Sequence, residues 1–155
     1  MLIVRDLTTL DLLSVLNLAQ EFYDDAENAH SLGFDMQGTC DNLFNIIGDD
    51  KFHAVVAVKN KEVVGILIGM AVKEIWSVKH IGFIHFFYVQ KDSRSFSVAN
   101  RLYSSFENWC KKRNEDIVLM QIGLHSGLDK DRPADVFFKR KGFREAGKDL
   151  IKEIQ

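Results

Sequence analysis

The chain is poor in proline and cysteine, with one proline and two cysteines among its 155 residues. Cys40 and Cys110 lie far apart in the sequence. Two such residues do not build the disulfide framework of a small secreted protein, so we expect reduced, buried thiols and a cytoplasmic location. The five histidines are scattered along the chain, and we expect no metal site.

An excess of charge and a long apolar run are also lacking. The formal net charge is −2 at pH 7, whereas a nucleic-acid-binding domain normally carries a basic face, so nucleic acid is not the expected partner. No apolar run reaches the roughly 18 residues that span a bilayer. In Met1–Asp6 the apolar residues are followed by charged ones too soon for the apolar stretch of a signal peptide, and we expect no membrane partner.

Hydrophobic residues are plentiful, at 46% of the chain, and phenylalanine alone contributes 12 residues. A chain of this length can bury a sizeable core, and we expect a single domain over residues 1–155. Apolar runs and helical spacings alternate in the order β-α-α-β-β-β-α-β-α-β, which predicts an α/β fold with helices packed on a mixed sheet. The predicted strands are Leu2–Asp6, Phe52–Val58, Val63–Val72, Ile81–Val89 and Ile117–Leu124. The local pattern of the final segment, Phe143–Ile154, does not decide its type, and the element order counts it as a strand.

Four helices are predicted between these strands. The first follows a cap at Thr8 or Thr9, the second begins at Thr39, the third ends near Arg113, and the fourth begins at Pro133. Because the third helix joins two apolar strands, the unit from Ile81 to Leu124 is expected to be parallel and right-handed.

The most informative segment is Tyr88–Ala99, in which an apolar strand passes through a short polar turn into an amphipathic helix. The free N–H groups and the dipole of a first helical turn favour anions, and small side chains let a phosphate approach. Arg94 adds a planar donor fork that suits phosphate oxygens. The segment therefore predicts phosphate binding, with a purely structural junction capped by serine as the alternative.

Two motifs and the element order resemble those of the GNAT superfamily of acyl-CoA N-acyltransferases. Arg94-x-x-Ser97-x-Ala99 opens the helix after the third long strand and is similar to the family pattern Gln/Arg-x-x-Gly-x-Gly/Ala. Ala134–Phe143 looks like the helix-plus-turn motif of the family, which ends in Gly-Phe. The resemblance covers nearly the whole chain.

The resemblance implies a GNAT-like fold: a central mixed, largely antiparallel sheet with helices on both faces and a splayed pair of parallel strands. It implies acetyl-CoA as co-substrate, with the pantetheine arm aligned by the backbone of Tyr88 and Val89 in the gap before Ile117–Leu124. Arg94 would lie beside the pyrophosphate. The backbone N–H groups that would bind the pyrophosphate are those of Ser95, Phe96, Ser97, Val98 and Ala99.

The sequence departs from the family at two places. Ser97 stands at the first glycine of the pattern, and the side chains of Ser95 and Ser97 narrow the approach of a pyrophosphate, so we expect weaker binding. Phe138 stands at the cofactor-contacting position where many members carry a tyrosine that protonates the leaving thiolate. Another group or water must then supply that proton, or the thiolate leaves without one.

The chemistry that the resemblance implies is direct attack of a primary amine on the acetyl thioester, and the ammonium must first lose a proton. The base of polyamine-type members lies four residues before Val89, at His85, and an imidazole suits this task. His125, just past the next strand, is a second candidate base. Tyr88 or Tyr103 could donate to the thiolate, and purely structural roles are the alternative.

The acceptor is predicted to be a small cationic amine or a lysine side chain, because carboxylates are concentrated around the first two helices. A solvated acidic face is the alternative. A non-catalytic acyl-CoA-binding module, or an enzyme acting on an amine of nucleic acid or aminoacyl-tRNA, also remains open. The weak alternation of Asp149–Gln155 allows a homodimer. The carboxylates are Asp24, Asp25, Glu27, Asp35, Asp41, Asp49 and Asp50.

Overall fold

The computed structural model describes residues 1–26, 32–113, 116–124 and 128–154. These residues form five strands and four α-helices, with single 3₁₀ turns before α1 and α3. In chain order the elements are β1 (Leu2–Asp6), α1 (Leu12–Asp25), α2 (Met36–Ile46), β2 (Phe52–Lys59), β3 (Glu62–Lys73), β4 (His80–Val89), α3 (Phe96–Lys112), β5 (Ile117–Ile122) and α4 (Leu128–Arg140).

The five strands form one sheet in the order β1-β2-β3-β4-β5. The first three pairings are antiparallel, and β4 pairs with β5 in parallel because α3 carries the chain back across the sheet. Strands β2 and β3 are apolar over most of their length because helices cover both of their faces. The expected mixed, largely antiparallel sheet with helices on both faces is confirmed.

Each face of the sheet has its own apolar core. On one face Val15 of α1 packs near Ile66 of β3, and α2 extends the same cluster. On the other face Leu102 and Phe106 of α3 pack with Leu67 of β3, and α4 adds to that cluster. Successive residues of β3 therefore serve opposite cores, as the pleat of a strand requires.

Two helix starts and the C-terminal segment differ from what the sequence predicts, beyond small shifts at the strand ends. Helix α2 begins at Met36 rather than at Thr39, because a carboxylate oxygen of Asp35 accepts the N–H of Gly38 at 2.8 Å and caps the helix earlier. Pro133 lies within α4 rather than at its first residue. The predicted strand Phe143–Ile154 is not formed, since charged residues interrupt its apolar positions.

Asp11 anchors the entry to α1 from a buried position, with 5% of its surface exposed. Both of its oxygens accept from the Arg5 guanidinium at 2.8 Å, and one also accepts the Thr8 N–H at 2.9 Å and the Thr8 hydroxyl at 2.8 Å. These donors, chiefly the guanidinium of Arg5, lower the pKa of Asp11 to about 2. The ionised carboxylate therefore holds β1 to the start of α1.

We expect the free energy of unfolding to depend on Asp11 between about pH 4 and pH 2. The carboxylate binds a proton more readily in the unfolded chain, so its stabilisation is present above about pH 4 and is lost as the pH falls through about 2. At about 1.4 kcal/mol per pKa unit, the contribution is about 2 kcal/mol.

Urea unfolding of the wild type and of Asp11→Asn across pH 2–7 measures this contribution. The difference in unfolding free energy between the two proteins is expected to shrink towards zero at the acid end of the range. Other carboxylates titrate alike in both proteins and cancel from the difference. A difference that stays constant with pH would show that the charge of Asp11 does not stabilise the fold.

Candidate active site

A gap opens in the sheet where β4 and β5 diverge. Their parallel pairing runs from His80 opposite Ile117 to Ile84 opposite Ile122, and β5 ends there. Strand β4 continues to Val89 and remains paired with β3 on its other side. On the open side these last residues have no partner from β5, so their N–H groups are available to a ligand that enters the sheet from its edge.

A β-bulge lies at the point where the gap begins. Ile68 of β3 pairs with Phe86, and Gly69 pairs with Ile84, so His85 is the extra residue on β4. The bulge interrupts the alternation of β4, and Ile84 packs with the α3 core while Phe86 packs with the α1 core. His85, the predicted base, is consequently exposed at the apex of the gap.

The first turn of α3 lies directly after β4 and a short 3₁₀ turn. The Ser95 hydroxyl accepts the N–H of Val98 at 3.3 Å and caps the helix, as a serine at this position commonly does. In the described part of the chain, the N–H groups of Phe96 and Ser97 have no bonded acceptor, as the geometry of a first turn requires. Two unpaired donors therefore stand at the mouth of the gap.

Arg94 folds back onto the end of β4. Its Nε donates to the carbonyl of Val89 at 3.0 Å, and its guanidinium carbon lies 5.3 Å from the centre of the Tyr88 ring. One of its donors is thus engaged by the strand, which orients the guanidinium plane. The remaining N–H groups of this exposed side chain lie next to the helix start.

The Tyr88 side chain packs beneath α1, on the sheet face opposite to α3. Its ring meets that of Phe22 edge to face, with centroids 5.7 Å apart, and the residue is 6% exposed. Within the described residues the hydroxyl has no partner at hydrogen-bond distance. Burial, followed by the nearby carboxylate of Glu21, raises the pKa of Tyr88 well above its ordinary value. The hydroxyl therefore stays protonated at neutral pH.

Glu21 contributes to this region and was missed in the sequence analysis. Its carboxylate accepts the backbone N–H of Lys91 at 3.2 Å, which joins α1 to the turn after β4. The neighbouring Asp25 binds the Lys91 ammonium at 2.9 Å. The sequence carried no signal for these contacts, because they join residues far apart along the chain.

Phe138 lies in an aromatic cluster that lines the α3 side of the gap. It is 3% exposed, and its ring centroid lies 5.7 Å from Phe87, 6.2 Å from Tyr103, and 5.2 Å from both Phe137 and Phe143. The only hydroxyl in this set belongs to Tyr103, and it donates to Glu107 at 3.1 Å. The cluster therefore forms an apolar side of the gap and directs no proton donor into it.

Several of the predicted acceptor-binding carboxylates are bonded locally. Gln20 donates to Asp24 and Gln37 donates to Asp41, each at 2.9 Å. Asp35 caps α2, as described above. Asp24, Asp35 and Asp41 nevertheless remain exposed to solvent. Glu27 and the second candidate base, His125, lie outside the described residues.

The two cysteines are free thiols, and burial raises the pKa of Cys110 to about 11. A thiol with this pKa stays protonated at neutral pH and is a poor nucleophile.

Among the described residues, no group of three or more histidine, cysteine, aspartate or glutamate side chains is arranged to hold a metal ion. None of the described helices is both long enough and apolar enough to cross a membrane.

The fold is shared with solved acetyltransferases. AAC(6')-Iy in complex with the bisubstrate analog CoA-S-monomethyl-acetylneamine has a TM-score of 0.79 and 12% identity, over 100% of this chain and 99% of that one. An aminoglycoside acetyltransferase from an uncultured soil metagenomic sample has a TM-score of 0.74 and 18% identity, over 100% of this chain and 99% of that one. Ribosomal-protein-alanine N-acetyltransferase from Brucella melitensis biovar Abortus 2308 has a TM-score of 0.71 and 12% identity, over 99% of each chain.

The sequence itself carries the family assignment. No curated protein matches the chain significantly, and the identities to the solved structures are low enough that those structures show the fold alone. Residues 12–143, by contrast, match the sequence model of the Acetyltransferase (GNAT) family, which spans most of the 155 residues. This match includes both the gap between β4 and β5 and the start of α3. The chain therefore belongs to the Acetyltransferase (GNAT) family.

Proposed function

We propose that the protein transfers an acetyl group from acetyl-CoA to a primary amine by direct attack of the amine on the thioester. The observation that carries this proposal is the gap between β4 and β5, which ends at the two unpaired N–H groups of α3. The extended backbone at Tyr88 and Val89 suits the amides of a pantetheine arm, and the N–H groups of Phe96 and Ser97 suit a pyrophosphate. One elongated site thus matches both parts of the co-substrate.

His85 is the proposed base. The bulge places its exposed imidazole at the inner end of the gap, where the thioester would lie if the pyrophosphate is bound at α3. An imidazole is a suitable general base for an alkyl ammonium near neutral pH. His125 remains the second proposed base.

The departure of the thiolate needs no strong acid. A thiol has a pKa near 8.5, so its anion is stable enough to leave near neutral pH and to be protonated by water. Phe138 carries no proton to donate, and the Tyr88 hydroxyl lies on the α1 side of the sheet. Tyr88, whose hydroxyl stays protonated at neutral pH, is the proposed acid, and this role requires its ring to turn from the α1 side of the sheet to the gap.

The acceptor is proposed to be cationic. AAC(6')-Iy and the ribosomal-protein-alanine N-acetyltransferase share this fold although their names specify different acceptors, an aminoglycoside and a protein. The fold therefore does not select between small amines and protein amines. The carboxylates of Asp24, near the end of α1, and of Asp41, in the middle of α2, are both exposed and favour a positively charged amine over a neutral one.

A non-catalytic acyl-CoA-binding module is the second candidate function. The observation that favours it is Phe138, which replaces the hydroxyl that many family members place at this position. Such a module would bind acetyl-CoA through the same gap and start of α3 but would release no thiol with any amine.

Calorimetry with acetyl-CoA, desulfo-CoA and ATP tests the proposed binding site. Micromolar binding that is selective for acetyl-CoA would support it, and an amine panel assayed by release of free thiol would then test catalysis. The panel should contain polyamines, aminoglycosides and lysine peptides. Binding without thiol release would favour the second candidate, and the absence of binding would contradict both.

His85→Ala is expected to lower kcat about 100-fold at pH 7, within the range that general base catalysis commonly contributes. It is also expected to flatten the pH–rate profile near neutrality, because the titrating base is removed. Affinity for acetyl-CoA should not change. Lys73→Ala, at an exposed site on β3, is the matched control and should leave both measurements unchanged. An unaltered pH–rate profile in His85→Ala would exclude His85 as the base.

A further inference from the structure

The ring of Phe83 stands next to the proposed base. Its centroid lies 6.1 Å from that of the His85 imidazole. The two neighbours of Phe83 along β4 belong to the other side of the sheet, since a Cβ on Gly82 would meet the Cys110 thiol and Ile84 packs in the α3 core. Because side chains alternate along a strand, Phe83 lies on the face that carries α1. An amine that reaches the imidazole from this face therefore meets the Phe83 ring.

Four more apolar side chains continue this surface away from the base. Phe83 pairs with Met70 of β3. Ile81 pairs with Val72 of β3 on one side and with Leu119 of β5 on the other. These four positions share the face of Phe83, because the residues that alternate with them pack towards α3. We refer to the five residues as the apolar floor, which consists of Met70, Val72, Ile81, Phe83 and Leu119.

The two apolar cores leave this floor uncovered. Within residues 1–26, 32–113, 116–124 and 128–154, no floor residue belongs to the core under α1 and α2 or to the core under α3. Helices α1 and α2 pack over another part of β3, at Ile66 and Ile68. Leu119 is 51% exposed, and the other four floor residues are half-buried. A continuous apolar surface that adjoins a reactive side chain is typical of a ligand site.

The floor is also free of charge, whereas the nearby helices are acidic. The exposed carboxylates of Asp24 and Asp41 lie on α1 and α2, which pack on the same face of the sheet. An ammonium and an apolar substituent therefore find separate environments on this face. A second ammonium placed on the floor would lose water without gaining a carboxylate. The surface thus suits an acceptor with one amino group and one apolar substituent.

We propose that the apolar floor binds the substituent of the acceptor, and that the acceptor is a primary amine with an aromatic or branched aliphatic group two or three bonds from its nitrogen. This inference rests on the proposed function and names its substrate class. The nitrogen bonds to the His85 imidazole, and the 6.1 Å between the two ring centroids places the substituent over Phe83 and Ile81. Phe83 and Leu119 are therefore residues that determine specificity.

Continuity with His85 favours the acceptor over a second copy of the chain as the occupant of the floor. Phe83 belongs both to the floor and to the surroundings of the imidazole. A second copy seated on the floor would close the approach to the base from this face. An acceptor that binds there is instead brought to the base by the same contact.

The test measures kcat/KM by release of free thiol at saturating acetyl-CoA. 3-Methylbutylamine is compared with ethylamine, an alkyl ammonium of similar acidity, and 2-phenylethylamine and 1,4-diaminobutane complete the panel. We expect 3-methylbutylamine to exceed ethylamine by about tenfold, chiefly through a lower KM, as half-burial of its three additional carbon atoms would give. 1,4-Diaminobutane should not exceed ethylamine.

Two variants remove apolar surface from the floor while keeping a residue that favours strands. Phe83→Thr and Leu119→Thr should each reduce the preference for 3-methylbutylamine at least threefold and leave kcat/KM for ethylamine unchanged. Leu119→Thr alters a side chain that is already half exposed, so it tests the inference even if Phe83→Thr does not fold. Ile3→Thr is the matched control, because Ile3 is 40% exposed on β1 at the opposite edge of the sheet. It should keep the whole preference.

The outcomes separate this inference from the proposed function. Equal kcat/KM for 3-methylbutylamine and ethylamine, a preference for 1,4-diaminobutane, or an equal loss with both monoamines in the floor variants would overturn the inference while the proposed function stands. Sedimentation that shows a wild-type dimer and a monomeric Leu119→Thr would assign the floor to a second copy and overturn it as well. If no amine releases thiol, the proposed function fails and the inference fails with it.

Discussion

Ser97→Glu is expected to abolish the binding of acetyl-CoA. Ser97 contributes one of the two unpaired N–H groups at the start of α3, and its exposed side chain is directed to solvent at the same helix end. A carboxylate about 4 Å from a phosphate repels it by about 4 kcal/mol per charge pair at the dielectric typical of a protein surface. Since the pyrophosphate carries more than one negative charge, affinity should fall more than about 100-fold.

The controls for this prediction separate charge from side-chain size. Asn108→Glu adds the same charge to an exposed position three turns further along α3, where affinity should be unchanged. Ser97→Gly removes the side chain and should tighten binding, because the phosphate can then approach the backbone more closely. If Ser97→Glu binds acetyl-CoA as well as the wild type by calorimetry, the pyrophosphate does not contact this turn.

The sheet could be predicted from the sequence because its strands carry strong local signals. Strands β2 and β3 are apolar and rich in β-branched residues, and β4 is almost continuously apolar. Runs of this kind are buried most readily as neighbouring strands in the middle of a sheet. The serine cap of α3 could be predicted as well, since Ser95 directly precedes the amphipathic pattern of the helix. These features depend on neighbouring residues, which a single sequence displays.

The bulge at His85 could not be predicted, because it depends on packing between elements. A two-residue alternation would place Phe87 on the same face as His85, whereas the extra residue puts Phe87 with Ile84 against α3. The contacts of Glu21 with the turn after β4 and of Lys141 with α3 likewise join distant segments. The positions of His85, Glu21 and Lys141 are thus determined by contacts between distant segments, which a single sequence does not display.

Gly69→Ala is expected to destabilise the protein by about 3 kcal/mol, in the upper part of the usual range for overpacking a core. A Cβ at this position would lie 2.1 Å from one ring carbon of Phe106 and 2.5 Å from the next. Phe106 is fully buried and stacks on Trp109 with centroids 5.7 Å apart, so its ring has little room to move. Urea unfolding measures the loss.

Two further variants test whether the clash with Phe106 is the cause. Gly147→Ala meets no heavy atom within 4 Å and should change the unfolding free energy by less than about 0.5 kcal/mol. Phe106→Leu removes the ring edge that the new methyl group would meet, so Gly69→Ala should be less costly in that background than in the wild type. Additive losses would indicate that the methyl group acts on the backbone of β3 instead. Because Gly69 pairs with Ile84 beside the bulge, a shift of β3 there would also displace His85, and kcat would then fall together with stability.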